Sequence, residues 1–257
     1  MKEYREKTAQ ELKCLRESGK RLRAVLETVI QAAKPGVSTK ELDVIAEREI
    51  RAVGGIPIFK GYGSEWGKPF PASLCTSINQ EVVHGIPSEK RVLREGDLLK
   101  LDIGLRFEGM VTDMARTVAV GAVSNEAEQL LRVTRESLDL GIANIRAGAH
   151  LSDYARAVQG HAEKHGYAVV RDLVGHGVGH ELHEDPQVPN YFHAGIRDFV
   201  FTKGMVLALE PMINAGGLQV RIASDGWTFV TTDGKLSAHF EDTIIVTDKG
   251  TEIVTRG

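Results

Sequence analysis

Apolar positions near the start of the chain recur with the period of an α-helix. Leu15, Leu22 and Leu26 fall on one helical face. They predict a helix over about residues 8–33 that ends before Pro35-Gly36. Ser38 with Glu41 three residues later forms a capping-box pattern, which predicts a second helix as far as about Val53.

The helical pattern of apolar positions does not continue after the second helix. Residues 55–72 are rich in glycine, proline and aromatic residues, which predicts a loop. Patterns typical of β-strands follow at 73–84 and 97–107, and others close the chain at 204–213, 218–223, 227–231 and 237–247.

The order of helices and breaks returns in the second half. Residues 125–146 predict an amphipathic helix that Ala147-Gly148 stops, and a further helix starts at Leu151 and ends at Gly166. Gly36 and Gly148 have the same separation as Gly54 and Gly166. This regularity favours an internal duplication, with halves at about 8–120 and 121–250. With no low-complexity linker, residues 1–257 predict a single α+β domain whose halves share a sheet with helices on its outer face.

Composition narrows the possible partners and compartments. The net charge of −3 argues against a nucleic-acid partner, which would require a basic surface. Two cysteines, Cys14 and Cys75, make no disulfide framework and suit a reducing compartment. The charged N-terminus is unlike a signal peptide, and the chain has no run of about 18 apolar residues. We therefore expect a cytoplasmic protein without a membrane segment.

Two aspartates fall on strands that a tight turn can join. Glu108-Gly109 is a plausible two-residue hairpin turn, which would place Gly104 opposite Asp113. Asp102 and Asp113 are then diagonal neighbours on one face, with the space at Gly104 left empty. Two such carboxylates repel each other unless a cation lies between them. The alternative is a pair of solvated surface aspartates.

Three histidines lie among glycines in a short segment, at His176, His180 and His183. The glycines disfavour a helix and permit close approach of the backbone. Incidental histidines on a surface loop remain an alternative.

Two glutamates lie at apolar strands. Glu210 ends one run and Glu241 precedes another, and a carboxylate embedded in a buried strand is costly unless it is paired or bound to metal. Strand-end glutamates at the surface are the alternative. If the acids and one imidazole converge, they can hold two divalent cations.

These motifs resemble those of type I methionine aminopeptidases. LDIGLRFEGMVTD, VGHGVGHELHEDPQVPNY, MVLALEPM and SAHFEDTIIVT are similar to the family's metal-site segments, and VVHGIP is similar to a further one. The resemblance extends from the first helix almost to the C-terminus. It implies the pita-bread fold, an α+β domain with pseudo-twofold halves, a curved antiparallel sheet and outer helices. It also implies removal of N-terminal methionine from proteins and peptides, with a preference for small second residues.

The resemblance implies a role for each matching residue. The five metal ligands would be Asp102, Asp113, His176, Glu210 and Glu241, holding two divalent ions of cobalt, manganese, iron or zinc, with Asp113 and Glu241 as bridges. His183 would contact the peptide carbonyl oxygen. His84 would position the substrate and assist proton transfer, and Glu210 would carry the proton to the leaving nitrogen.

A methionine pocket is also implied. Its lining would be Phe59, Tyr62, Phe70, Cys75 and Trp227, although ordinary core aromatics are the alternative, above all for Phe59. The loop Gly63–Pro69 is longer than is usual in the family, and it lies at the rim of this pocket between Tyr62 and Phe70. His239 stands where glutamine is common, two residues before Glu241 and on the same strand face, so it would either contact the site or be inert. His180 also falls outside the family pattern.

Three other interpretations compete with this one. A prolidase or aminopeptidase P would usually carry an extra N-terminal domain, whereas this chain starts almost at the first helix. Type II methionine aminopeptidases have a long insert between the two glutamates, which are close in sequence here. A non-catalytic binding protein is disfavoured because every ligand position is filled by a competent residue. The family resemblance implies a monomer, and it leaves ribosome association open.

Overall fold

The computed structural model describes residues 5–256, which form four α-helices and fifteen β-strands. The helices are α1 (Ala9–Ala32), α2 (Thr39–Ala52), α3 (Asn125–Ala143) and α4 (Leu151–Lys164). The strands of the first half are β1 (Ile56–Pro57), β2 (Cys75–Ile78), β3 (Glu81–Val83), β4 (Leu98–Phe107) and β5 (Met110–Ala119). Those of the second half are β6 (Ala168–Val169), β7 (Gly175–Gly177), β8 (Glu184–Val188), β9 (Val206–Leu209), β10 (Met212–Asn214), β11 (Val220–Ile222), β12 (Phe229–Thr231), β13 (Ser237–His239), β14 (Asp242–Val246) and β15 (Thr251–Ile253).

The four predicted helices are confirmed, with ends that differ by a few residues. The capping box at Ser38 and Glu41 is present, and Thr8 with Glu11 forms another at the start of α1. The predicted loop at 55–72 also contains the short strand β1 and a 3₁₀ turn at Ser64–Trp66, which the glycine-rich pattern did not indicate. None of the helices within the described residues is long and apolar enough to cross a membrane.

All strand pairs are antiparallel, and they form four sheets. One sheet contains β1, β4, β2 and β5, and the five-stranded sheet has the order β15-β14-β9-β7-β8. These two sheets meet where Ala115 and Glu241 exchange backbone hydrogen bonds of 3.3 and 3.0 Å. This bridge between β5 and the residue before β14 therefore joins the two sheets.

Each helix pair packs on one face of its neighbouring sheet. Leu22 and Leu26 of α1 belong to a core that includes Leu101 and Ile103 of β4. In the second half, Tyr154 of α4 packs in a core with strands β9 and β14. Because side chains alternate along a strand, the residues between these apolar positions face the side that the helices leave uncovered. The predicted α+β arrangement is confirmed, while the proposed limits of the two halves remain a prediction.

Candidate active site

One pocket brings together all twelve residues to which the family resemblance assigns a role. Its lining consists of Phe59, Tyr62, Phe70, Cys75, His84, Asp102, Asp113, His176, Leu182, His183, Glu210, Trp227 and Glu241. These side chains come from both halves of the chain. The convergence on which the metal-site prediction depended is thus present.

The β4–β5 hairpin places the two aspartates as predicted. Gly104 pairs with Asp113, and Glu108 and Gly109 both take positive φ in the turn. The expectation of empty space at Gly104 was wrong. A Cβ built there would lie 2.8 Å from Ile58 Cγ2 and 2.9 Å from Phe59 Cε1, so the loop before β2 fills this space with an apolar wall.

The two sheets bring the glutamates beside the aspartates. Thr243 donates its hydroxyl to the Asp113 carbonyl oxygen at 2.7 Å and accepts the Asp113 amide at 3.0 Å, so β14 holds β5 beside Glu241. Asp113, His176 and Glu241 each offer a donor atom, and these atoms lie within 4.8 Å of one another. This spacing suits a shared cation.

Burial sets the electrostatics of the four acids. It raises the pKa of Asp102 to about 7 and that of Glu210 to about 7. Burial and the neighbouring carboxylates raise the pKa values of Asp113 and Glu241 well above the usual range for such groups. Carboxyl groups with this much mutual repulsion are stabilised in their ionised form when a divalent cation joins them.

His176 has the geometry of a ligand that uses its Nε2 atom. Its Nδ1 atom lies 2.9 Å from the Gly177 carbonyl oxygen, which can only accept, so Nδ1 carries the proton. The Nε2 lone pair then faces Glu210 Oε1 at 3.4 Å. Two electron-rich atoms facing each other, together with a buried Asp113 Oδ1 that has no hydrogen-bond partner, fit a metal site.

His183 lies beside His176, with ring centroids 4.4 Å apart, and its Nδ1 atom is 2.5 Å from the Tyr62 hydroxyl. Burial, followed by His176 and His84, lowers the pKa of His183 to about 2, so the ring is neutral at pH 7. Burial also raises the pKa of Tyr62, which keeps its proton. The Tyr62 hydroxyl can therefore donate to Nδ1 and leave the His183 Nε2–H free to donate into the pocket.

His84 follows β3 with a backbone φ of 58°. A non-glycine residue in this region costs on the order of 1–3 kcal/mol and occurs most often at functional sites. Its ring makes edge contacts with Trp227 at 6.3 Å and with Phe229 at 5.8 Å. Burial lowers the pKa of His84 to about 4, so this imidazole is also neutral at pH 7.

The long loop Gly63–Pro69 does not displace the pocket wall. Phe70 donates its amide to the Tyr62 carbonyl at 2.7 Å, and Gly61 donates to the Phe70 carbonyl at 2.8 Å. These bonds close the base of the loop, so that both rings stay in the lining and the extra residues project outward, with Trp66 64% exposed.

Two residues near the pocket lie outside the predicted set. Leu182 adds to the apolar lining, and no polar pattern in the sequence indicated it. His239 is 1% exposed, and its Nε2 atom lies 3.5 Å from Glu210 Oε2. Its position two residues before Glu241 was the available signal, because the strand period puts both on one face.

Comparisons with known proteins agree with this site. The model of metallopeptidase family M24 matches residues 13–248. A methionine aminopeptidase of Clostridium acetobutylicum is 48% identical over 95% of this chain and 96% of its own, and methionine aminopeptidase 1 of Bacillus subtilis is 47% identical over 97% and 98%. The crystal structure of a methionine aminopeptidase from Thermotoga maritima superposes with a TM-score of 0.93 at 40% identity, covering 98% of this chain and 99% of that chain.

These relatives extend over nearly the whole chain, so the pita-bread fold that the sequence predicted is confirmed. The match to methionine aminopeptidases over nearly the whole of both chains favours that activity over a prolidase or a non-catalytic binding protein. The chain belongs to metallopeptidase family M24 and, within that family, to the methionine aminopeptidases.

Proposed function

We propose that this metalloaminopeptidase removes the N-terminal methionine from proteins and peptides, with Asp102, Asp113, His176, Glu210 and Glu241 holding two divalent cations. The observation that carries the proposal is that this donor set and a group of aromatic side chains line one pocket. Oxygen donors with one imidazole suit cobalt, manganese, iron or zinc. When bound, such ions lower the pKa of water toward neutrality and polarise a carbonyl oxygen.

Asp113 and Glu241 are the proposed bridging ligands. Both are buried, Asp113 on β5 and Glu241 directly before β14, and the Thr243 hydroxyl joins these two strands, which supports a fixed separation between the carboxylates. Asp102, His176 and Glu210 would complete the donor set.

His183 is the proposed donor to the carbonyl oxygen of the peptide bond. A neutral imidazole whose Nδ1 accepts from Tyr62 directs its Nε2–H into the pocket. A donor placed in advance stabilises negative charge as it develops on that oxygen, and it needs no reorganisation during the reaction.

Glu210 is the proposed proton carrier. Its side chain lies in the pocket with the other proposed donors, and a carboxylate within hydrogen-bond reach can take a proton from the attacking water and return it to the leaving nitrogen. His84, as a neutral imidazole across the pocket, would orient the substrate and assist proton transfer at the leaving group.

The apolar wall is the proposed binding site for the methionine side chain. Phe70 and Trp227 make an edge contact of 5.4 Å, and Phe59 and Cys75 are buried beside them. Thioethers pack favourably against aromatic edges, so this wall suits methionine. Tyr62 would serve twice, as part of the wall and as the partner of His183.

The direct test is release of free methionine from Met-Gly-Met-Met in the presence of Mn(II) or Co(II). We expect release that stops after a chelator is added and returns with metal. A second peptide pair, Met-Ala and Met-Lys at the first two positions, tests the proposed preference for small second residues. Equal cleavage of this pair would contradict the proposed narrow site, and no release from any peptide would contradict the function.

The finer properties need their own measurements. Metal analysis of protein purified without exposure to air would identify the bound ion and its stoichiometry, for which we expect two per chain. We further expect a monomer that acts in the cytoplasm, and light scattering checks the first point. Sedimentation with ribosomes would decide whether the protein associates with them.

A further inference from the structure

A buried ion pair ties the segment before α1 to the active site. Lys7 donates its Nζ to Glu184 Oε2 at 2.5 Å, although the two residues are 177 positions apart. The side chains are 0% and 2% exposed. Ionised groups are rarely placed this deep, because removing both from water costs several kcal/mol per ion. Such a pair needs a reason beyond ordinary packing.

Glu184 directly follows His183 and begins β8. Its other carboxylate oxygen, Oε1, accepts the backbone amides of His180 at 2.6 Å and Glu181 at 2.9 Å. One carboxylate therefore closes the turn at residues 180–184, from the inside, and Lys7 holds that carboxylate. The backbone that carries His183 depends on both.

The chain leaves room for the Lys7 side chain at Gly179. A Cβ built on Gly179 would lie 2.6 Å from Lys7 Cε, and the backbone there has a φ of 140°, which disfavours other residues. The glycine thus allows the lysine stem to pass directly against the turn. The ammonium group of Lys7 therefore binds Glu184, and its apolar stem packs against the backbone at Gly179.

A second contact binds the same segment less deeply. Glu11 Oε1 of α1 lies 2.8 Å from His180 Nε2, and Arg5 contacts both residues. Lys7 and Glu11 therefore both bind residues of the turn, and of these two contacts only that of Lys7 is fully buried.

We infer that Lys7 is a positioning residue for catalysis: through Glu184 it fixes the turn that aims His183 at the substrate carbonyl. The inference rests on the proposed function of His183. Lys7 acts through Glu184 and contributes no group to the reaction itself. Displacing a catalytic group by about 1 Å can cost roughly 10²-fold in rate, even when the change is far from the chemistry.

The test compares Lys7→Met, which keeps the apolar stem and removes the charge, with Lys7→Arg, which keeps the charge. Arg16→Met is the matched control, because Arg16 of α1 makes an exposed pair with Glu252 away from the turn. We expect Lys7→Met to lower kcat by about 10²-fold. The KM and the bound metal should stay at wild-type values, Lys7→Arg should recover part of kcat, and Arg16→Met should match the wild type.

Destabilisation is separated from positioning by the double variant Lys7→Met/Glu184→Gln. Removing one partner of a buried pair leaves an uncompensated charge, whereas removing both does not. The double variant should therefore unfold at a higher temperature than Lys7→Met and yet remain slow. A double variant with wild-type kcat would show that only stability was affected, and would overturn the inference.

A crystal structure of Lys7→Met makes the test independent of activity. We expect the 2.5 Å contact between the Tyr62 hydroxyl and His183 Nδ1 to be lost or lengthened. An unchanged contact would overturn the inference even if kcat fell. If the wild type loaded with metal released no methionine, the proposed function would fail, while this structural comparison would still decide whether Lys7 positions the ring.

Discussion

Two regions of the active site are held in place by different means. The acidic hairpin, β4 with β5, is a ladder of ten residue pairs that fixes Asp102 and Asp113 through the backbone. The histidine turn, residues 175–184, has a register shift after His176 and relies on side chains from distant segments. The positions of Asp102 and Asp113 are therefore set by regular structure, whereas the orientation of His183 depends on Tyr62 and Glu184.

This difference separates two kinds of damage. A change in the hairpin alters which donor atoms are present but leaves the ladder intact. A change at the contacts that orient His183 leaves the donors in place and alters the direction of one ring. Substitutions confined to one region therefore allow metal binding and turnover to be measured separately.

The largest effect is expected for Asp113→Asn. Asparagine keeps the shape but removes a negative charge from the proposed bridge, so metal and activity should be lost together. Metal analysis after dialysis and methionine release from the same sample check this. Glu108→Gln is the control, because this exposed acid lies at the turn of the same hairpin. An Asp113→Asn protein with full metal content would exclude the bridging role.

The next effect is expected for His183→Ala. Loss of one preformed donor to a developing oxyanion lowers kcat by about 10²–10³-fold. Metal content should be retained, since we propose no bond from this ring to metal. His193→Ala is the control, as His193 is exposed on the loop after β8. Loss of metal from His183→Ala would reassign the residue as a ligand.

A smaller effect is expected for Tyr62→Phe, which removes only the hydroxyl that contacts His183 Nδ1. Without it the His183 ring can rotate or change tautomer. Loss of such orienting partners commonly costs about 10–100-fold in activity where they support metal ligands, and we expect the lower end here. The aromatic wall is preserved, so KM should change little. If KM rose while kcat stayed constant, Tyr62 would act in the pocket alone.

The sequence predicted the hairpin better than the histidine turn, for a physical reason. Strand alternation and two-residue turn chemistry are local, so the pairing of Gly104 with Asp113 followed from residues close in the chain. The five proposed ligands were found together because their segments resemble those of a known family. Their convergence depends on the contact of β5 with β14, which no local pattern specifies.

What could not be predicted arises from contacts between distant segments. Lys7 looked like one of many surface charges on an N-terminal segment, and only the folded chain buries it against Glu184. The apolar wall at Gly104 is likewise made by a loop far from it in sequence. For His239 the sequence left open whether the side chain contacts the site or is inert, and the 3.5 Å approach of its Nε2 atom to Glu210 Oε2 required the structure.

The smallest effect is expected for Gly104→Ala, which tests whether the hairpin also shapes the pocket. The added methyl group would meet Ile58 Cγ2 and Phe59 Cε1, both at the ends of side chains that can shift. Overpacking costs about 1–3 kcal/mol, and movable neighbours favour the lower end. Because Phe59 lines the proposed methionine pocket, a shift of its ring should raise KM while metal content and kcat remain near wild type.

Gly160→Ala is the control for this substitution. Gly160 lies on the exposed face of α4, and a Cβ there meets nothing within 4 Å. Alanine in a helix interior is favoured over glycine by roughly 0.5–1 kcal/mol, so this variant should be slightly more stable with unchanged KM. If Gly104→Ala loses stability with no change in KM, the Phe59 ring does not contact the methionine side chain. The apolar wall would then be part of the core, and the hairpin would serve the metal donors alone.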